Sequence, residues 1–242
     1  MIVLSANIDI RNRTFYNEKG MKPPTRHLSH KEMISILYIT SFFLSLLIVM
    51  LLIPPLRKLA FKIGFVDKPR KDVERKIHRE PIPLTAGYAI FLGFAASYLL
   101  FSHESAVQTA AVLTGSLLLL AIGTIDDWYK TQGKDFPALP KLVVHVLAAI
   151  LVYLSGIVFS GFINPLGGEY ILLPGWLQFV LTILWIFGVT TVINFSDGMD
   201  GLAGGLTAIS AGTLFVVALA KGQSTSAVMA ISLVGVSLAY LR

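Results

Sequence analysis

The 242-residue chain contains no cysteine and few acidic residues. The absence of cysteine excludes a disulfide framework and a thiolate metal site. Only 14 residues are Asp or Glu, against 20 Lys and Arg, and charged residues make up 14% of the chain. Apolar residues make up 55% of it, and the mean hydropathy is +0.72. Such a chain cannot hide its apolar surface in one soluble core, and it therefore needs lipid.

Seven apolar runs, each near the roughly 20 residues that a bilayer helix needs, predict an all-α, polytopic transmembrane helical bundle. The run 206–220 is the shortest, and a buried or tilted helix is the alternative there. Between the fourth and fifth runs, turn residues at 164–168 and 174 punctuate the short run 170–173 and predict a small hairpin on the outer surface. The seven runs are residues 33–56, 83–101, 107–124, 142–162, 176–193, 206–220 and 226–241.

The distribution of Lys and Arg predicts the domain organisation and the orientation. Residues 1–32 are polar, carry six Lys or Arg and predict a disordered tail, so that residues 33–242 form the membrane-embedded domain. Nine more lie in the first loop, at 57–79, whereas the second and fourth loops have none. Cytoplasmic loops carry this excess, which predicts that the odd-numbered loops are cytoplasmic. Orientation also accounts for the net charge of +6 without a nucleic-acid partner.

Asp126 and Asp127 directly follow the third apolar run, at its predicted cytoplasmic end. A solvated stop signal is the alternative, but such signals are normally Lys or Arg on that side of the membrane. Two adjacent carboxylates would repel a phosphate-bearing ligand unless a divalent cation lay between them. The pair therefore predicts a Mg²⁺ site.

A second acidic cluster follows the fifth run. Asn194, Asp197 and Asp200 are three residues apart and share one face if the segment is helical, while Gly198 and Gly201 permit positive φ. A capped helix start that needs no ligand is the alternative. Two Asp, an Asn and several Gly so close together in an otherwise apolar chain favour a ligand site.

The first loop supplies a third set of polar side chains. Its cations suit phosphate oxygens, and its histidine can titrate near neutral pH. Topology and anionic lipid alone would also explain the cations, so this signal is weak by itself. The residues are Lys68, Arg70, Lys76 and His78, within Val66-Asp67-Lys68-Pro69 and Arg75-Lys76-Ile77-His78, before Pro81-Ile82-Pro83.

In this order the three motifs resemble those of the polyprenyl-phosphate N-acetylhexosamine-1-phosphate transferases, in glycosyltransferase family 4. The first motif is most similar to the undecaprenyl-phosphate N-acetylglucosamine-1-phosphate transferase branch. The resemblance implies Mg²⁺-dependent transfer of N-acetylglucosamine 1-phosphate, or a related sugar phosphate, from a UDP-sugar to undecaprenyl phosphate with release of UMP. This would be the first membrane step of a cell-envelope polysaccharide, such as teichoic acid or lipopolysaccharide.

The resemblance also implies roles for individual residues. The active face would be the cytoplasmic face of a multi-pass protein in the bacterial inner membrane. A homodimer is one open alternative for the oligomeric state. The implied catalytic residues are Asp126, Asp127, Asp197 and Asp200, the metal ligands Asp127 and Asn194, and the substrate-binding residues Lys68, Arg70, Lys76, His78 and Asn194.

Members of this family continue past the seventh span to a Gly-Asp-x-Gly-Ser element and a His-rich loop, which residues 1–242 do not contain. The resemblance therefore predicts a chain that is incomplete at its C-terminus and shows no transferase activity by itself. A truncated, non-catalytic family member is the alternative. A CDP-alcohol phosphotransferase is rejected because Asp197-Gly198 lacks the Arg and the later acids of that type. A transporter is disfavoured because these Asp lie at predicted span ends.

Overall fold

Seven helices make up most of the chain that the computed structural model describes, which is residues 30–67, 81–102, 104–196 and 201–242. The predicted all-α class is therefore confirmed. Residues 1–29, most of the predicted tail, lie outside the described residues, and the packing below is that of the unit Leu37–Arg242. The helices are α1 (His30–Ile63), α2 (Ala86–Phe101), α3 (Ala106–Thr131), α4 (Ala138–Leu154), α5 (Gly175–Ser196), α6 (Leu202–Ala220) and α7 (Ser224–Tyr240).

All seven helices are apolar, and four of them are long and apolar enough to cross a membrane. These four are α1 from Ile34 onward, α3, α5 and α6, whereas α2, α4 and α7 are shorter apolar helices. Large apolar side chains on the long helices face outward, among them Leu51 and Ile209, each 72% exposed. Such surfaces are unfavourable in water and favourable in lipid. The chain is a multi-pass membrane protein, as the sequence predicts.

Six of the helices close a ring of neighbours. Each helix from α2 to α6 packs against the next one along the chain, and α7 packs back against α2. Neighbours run in opposite directions: Gly115 in the first half of α3 faces Ala148 and Val152 in the second half of α4, and Gly204 near the start of α6 faces Tyr240 at the end of α7. The end of α3, the start of α4, the end of α5 and the start of α6 therefore share one end of the bundle. We call it the acidic end, because it holds the Asp126–Asp127 pair.

The first helix, α1, lies against α2 and α7, where small residues allow close approach. A Cβ at Gly93 of α2 would meet Val49 and Ser45 of α1, and a Cβ at Gly235 of α7 would meet Ser45 and the carbonyl oxygen of Phe42. Small residues at such positions let the backbones of membrane helices come together. We call this contact of three helices the central junction.

Serine side chains cross the central junction. The Ser97 hydroxyl on α2 donates to the carbonyl oxygen of Ser41 on α1 at 3.1 Å and pairs with the Ser232 hydroxyl on α7 at 2.7 Å. All three serines are fully buried. Hydrogen bonds between helices satisfy polar groups that have no water to bind, so these contacts fix how the three helices meet.

Several helix ends differ from those predicted from hydropathy. The first predicted span ends at residue 56, but α1 continues to Ile63. The third predicted span ends at residue 124, but α3 continues to Thr131 and includes both Asp126 and Asp127. The fourth predicted span ends at residue 162, but α4 ends at Leu154, where Gly156 adopts a positive φ of 92°. Hydropathy follows solvation rather than hydrogen bonding, so it misses a polar helical turn and counts an apolar segment beyond the helix.

Two short hairpins connect helices. Strand β1 (Val66–Asp67) pairs antiparallel with β2 (Ile82–Pro83), and β3 (Gly161–Ile163) pairs antiparallel with β4 (Tyr170–Leu172). The β3–β4 hairpin is the one that the sequence predicts between the fourth and fifth helices. It precedes α5, at the end of the bundle opposite the acidic end.

Candidate active site

The Asp pair lies on the last turns of α3, where the helix approaches the acidic end. The side chain of Asp126 is 16% exposed and that of Asp127 is 27% exposed. Because α3 continues to Thr131, a helical backbone fixes the directions of both side chains. Carboxylates that are partly removed from water are stabilised by cationic or hydrogen-bonding partners.

The first partner of the pair is Lys130, one turn further along the same helix. Its Nζ lies 2.8 Å from Oδ1 of Asp127 and 3.1 Å from Oδ2 of Asp126. Residues three and four apart are neighbours on a helix surface, which allows one ammonium group to bind both carboxylates. Lys130 therefore bridges the pair from within α3.

The second partner, Lys141, comes from the first turn of α4. Its Nζ lies 2.5 Å from Oδ1 of Asp126, so this ion pair joins α3 to α4. The same ammonium lies 5.9 Å from the ring centroid of Phe136, whose ring meets Tyr129 edge-on at 5.0 Å. A cation above an aromatic face is attracted to it. The loop between the two helices thus helps to hold Lys141 at the Asp pair.

The β1–β2 hairpin lies against the same end of α3. The ring of Phe65, just before β1, stacks on Trp128 with centroids 6.5 Å apart. Asp67 on β1 lies close enough to Asp127 for their negative charges to repel each other. The hairpin therefore brings a third carboxylate to the Asp pair, one that the sequence motifs do not assign to the site.

Strands β1 and β2 flank the first loop. Residues 68–80 lie outside the described residues, so the structure does not test the predicted substrate-binding residues within them. Residues 67 and 81 flank the loop, and the pairing of Asp67 with Ile82 holds its two ends together beside the Asp pair. The loop therefore begins and ends at the acidic end. The predicted residues in it are Lys68, Arg70, Lys76 and His78.

The second acidic motif falls at the junction of α5 and α6. Asn194 belongs to the last turn of α5 and is exposed at the acidic end, where the structure records no hydrogen bond between it and Asp126 or Asp127. Asp197 and Asp200 lie outside the described residues. Gly201 adopts a positive φ of 77° directly before α6, a conformation that glycine permits as the motif predicts.

The chemistry of the Asp pair fits a hard cation such as Mg²⁺, which takes carboxylate oxygens together with water and phosphate oxygens. Three of its four carboxylate oxygens already face an ammonium group at 2.5 to 3.1 Å, so cations are attracted to this position. In the part of the chain that the structure describes, no group of three or more His, Asp or Glu is placed to hold a metal ion by itself. A metal here would need ligands from outside the pair.

Sequence reasoning missed the two lysines as site residues. Neither Lys130 nor Lys141 is among the residues that the sequence motifs assign to the site. The spacing of Lys130, three and four residues after the two Asp, indicates an ion pair once that segment is known to be helical. No spacing predicts the contact of Lys141, because it depends on how α4 packs against α3.

Comparison with known proteins places this site in a family. The model of glycosyl transferase family 4 matches residues 109–242, which include the Asp pair, both lysines and the junction of α5 and α6. The chain belongs to glycosyl transferase family 4. The resemblance drawn from the three motifs is thereby confirmed.

Several relatives match most of the chain. A probable undecaprenyl-phosphate N-acetylglucosaminyl 1-phosphate transferase of Bacillus subtilis is 35% identical over 76% of this chain and 49% of its own length. A decaprenyl-phosphate N-acetylglucosaminephosphotransferase of Mycobacterium tuberculosis is 34% identical over 65% of this chain and 39% of its own length. A phospho-N-acetylmuramoyl-pentapeptide-transferase of Bacillus cereus is 30% identical over 83% of this chain and 64% of its own length. The chain thus spans about half the length of the curated relatives that it matches.

Proposed function

We propose that this protein transfers N-acetylglucosamine 1-phosphate, or a related N-acetylhexosamine 1-phosphate, from a UDP-sugar to undecaprenyl phosphate and releases UMP. Membership of the family supports a phosphotransferase. The names of the Bacillus subtilis and Mycobacterium tuberculosis relatives support a polyprenyl-phosphate acceptor and an N-acetylglucosamine phosphate. The product would be a lipid-linked sugar diphosphate for cell-envelope polysaccharide synthesis.

The observation that carries the proposal is the ion-paired Asp126–Asp127 pair at the end of α3. Two carboxylates and two ammonium groups meet there within 2.5 to 3.1 Å, on a bundle with lipid-compatible surfaces. A reaction between a membrane lipid phosphate and a water-soluble nucleotide needs charged groups at the end of a span. The acidic end has such groups on helices whose own surfaces suit the lipid chain.

In the proposed reaction, an oxygen of the lipid phosphate forms a bond to the sugar-bearing phosphorus of the UDP-sugar. The bond from that phosphorus to the bridging oxygen breaks, and the electron pair leaves with UMP. We assign the lipid phosphate to the region of Asp126 and Asp127, where a carboxylate can accept a proton from the acceptor or orient it. A two-step route gives the same products: an Asp carboxylate first takes the sugar phosphate as UMP leaves, and the lipid phosphate then displaces the Asp.

We assign the nucleotide to the second motif and the first loop. Cationic side chains bind diphosphate oxygens, and amide and carboxylate groups orient a uridine and a ribose. The positions of Asn194 and of the ends of the first loop at the acidic end support this assignment. The assigned residues are Asn194, Asp197 and Asp200, with Lys68, Arg70, Lys76 and His78.

We assign Mg²⁺ to Asp127 and Asn194, with Asp126 as a further carboxylate for the ion, and we assign to Asp197 and Asp200 a part in placing it. When bound, the ion supplies positive charge to the phosphate oxygens as UMP leaves, which is the main electrostatic demand of phosphoryl transfer. The side chains would hold the reacting groups in place, and we assign to Lys130 and Lys141, which lie on the Asp pair, the neutralisation of phosphate charge. Loop charges support a cytoplasmic location of the acidic end in the bacterial inner membrane.

The proposal is tested by UMP release from UDP-N-acetylglucosamine in liposomes that contain undecaprenyl phosphate and the complete product of the gene. Asp126→Asn and Asp127→Asn should each lower Mg²⁺-dependent turnover by on the order of 100-fold or more, because each removes charge that stabilises the transition state. Glu169→Gln makes the same chemical change on the exposed β3–β4 hairpin, at the opposite end, and should leave turnover unchanged.

Two results would contradict the proposal. One is no UMP release above a mock purification from protein that is folded and inserted. The other is turnover like that of the unmodified protein in both Asp variants. Binding of undecaprenyl phosphate without any UMP release would favour the non-catalytic alternative instead.

A further inference from the structure

The ion pairs of the acidic end place two monovalent cations where the proposed function requires a divalent one. Lys130 lies on both carboxylates and Lys141 lies on Asp126. Two carboxylates and two ammonium groups sum to a formal charge of zero. A divalent cation that approaches the pair therefore meets much less attraction than two unpaired carboxylates would provide.

The two lysines differ in how they reach the pair. Lys130 comes from α3 itself, so its contacts follow from helix geometry alone. Lys141 comes from α4 and is 35% exposed, with its ammonium between Asp126 and the ring of Phe136. The carbonyl oxygen of Lys141 is 2.8 Å from Nδ1 of His145, and the ring of His145 packs edge-on against Phe187 of α5. Side chain and backbone of Lys141 are thus both held.

We propose that Lys141 is a positioning residue that occupies Asp126 as a resident counter-cation, so that a divalent cation binds tightly only together with a phosphate-bearing ligand. This inference rests on the proposed function, because it concerns the same site. The divalent cation takes over Asp126, and the displaced ammonium pairs with the phosphate. Every charge keeps a partner in the occupied site. Without phosphate, displacement leaves an ammonium group without its carboxylate in a partly buried position, which costs free energy.

Lysine suits this exchange better than arginine would. Its ammonium is a compact charge on a flexible stem, and it binds phosphate as a point charge without a fixed orientation. A short rotation of the side chain can move the ammonium from a carboxylate to a neighbouring phosphate. This exchange couples binding of the divalent cation to binding of the nucleotide, and it limits binding of divalent cations in the absence of substrate.

The test is binding of Mn²⁺, a spectroscopic substitute for Mg²⁺, to the complete gene product in detergent. Electron paramagnetic resonance measures free Mn²⁺ with and without UMP, after subtraction of the binding of Mn²⁺ to UMP alone. In the unmodified protein, UMP should tighten Mn²⁺ binding roughly tenfold, since the charge of the phosphate accommodates the displaced ammonium. An affinity for Mn²⁺ that UMP does not change would overturn the inference without any variant.

Lys141→Met and Lys141→Gln remove the ammonium. Both should bind Mn²⁺ without UMP roughly tenfold more tightly than the unmodified protein, and UMP should then add less than about threefold. Lys134→Met removes an exposed lysine from the loop between α3 and α4 and should change neither value. Size-exclusion chromatography checks folding, and Lys141→Gln decides the outcome if Lys141→Met does not fold. Unchanged or weaker Mn²⁺ binding in the folded variant would overturn the inference.

The two proposals fail separately. Release of UMP by the unmodified protein, together with Mn²⁺ binding that does not depend on Lys141, would retain the function and reject the inference. Tighter Mn²⁺ binding in both Lys141 variants, without UMP release by the unmodified protein, would retain the exchange of cations and reject the function.

Discussion

The central junction and the acidic end both join helices, but different forces act in the two regions. At the central junction, Gly93 and Gly235 let backbones approach, and fully buried serines bond from helix to helix. At the acidic end, Lys141 reaches from α4 to Asp126 of α3, and the groups are partly exposed. Closely packed helices cannot move apart without losing packing contacts, whereas partly exposed ion pairs can exchange partners. We infer that the first region maintains the fold and that the second is available for chemistry.

The largest effect on stability is expected from Gly235→Ala at the central junction. A methyl group there would meet Ser45 Oγ and would lie 2.6 Å from the carbonyl oxygen of Phe42, so α7 would have to move away from α1. Overpacking of this kind costs about 1 to 3 kcal/mol. Thermal unfolding in detergent should show a lower midpoint, while turnover per folded molecule stays close to normal.

Gly212→Ala is the matched control for that substitution. It makes the same change within α6, where a Cβ would meet nothing within 4 Å. Alanine is the better helix former, so the midpoint should be equal or slightly higher. Equal midpoints for the two variants would show that the close approach of α1 and α7 is not needed for stability.

A smaller loss is expected from Ser97→Ala, which removes the hydroxyl that bonds to both α1 and α7. Ser232 keeps its bond to the carbonyl oxygen of Val228, so the buried hydroxyl that remains is still satisfied. The cost should be about 1 kcal/mol in the free energy of unfolding, measured with denaturant in mixed micelles. Ser116→Ala removes a hydroxyl that bonds within its own helix and should cost less. The reverse order would contradict the role of the serines at the central junction.

The smallest effect on stability is expected at the acidic end, from Lys130→Met. Lys130 is 39% exposed, and partly solvated ion pairs contribute only about 0 to 1 kcal/mol. The unfolding midpoint should therefore stay close to that of the exposed control Lys134→Met, even if turnover falls. A loss of stability as large as that of Gly235→Ala would erase the distinction between the two regions.

Much of the fold follows from local sequence. Seven apolar runs predict seven helices because lipid requires internally bonded segments, and the turn residues around 164–174 predict the β3–β4 hairpin. The Asp pair is likewise visible as charge at the end of an apolar run. Helix ends were less predictable: α3 continues through polar residues and α4 stops before its apolar run does, since hydropathy does not report backbone hydrogen bonds.

The sequence by itself determined that this chain belongs in a membrane, that it is helical, and that Asp126 and Asp127 lie at the end of a span. These properties depend on composition and on neighbours within a turn or two. The tertiary structure alone decided that α7 returns to α2, that Lys141 binds Asp126, and that Asp67 comes near Asp127. These contacts join residues far apart in the chain, and their formation depends on the packing of whole helices, which no local pattern encodes.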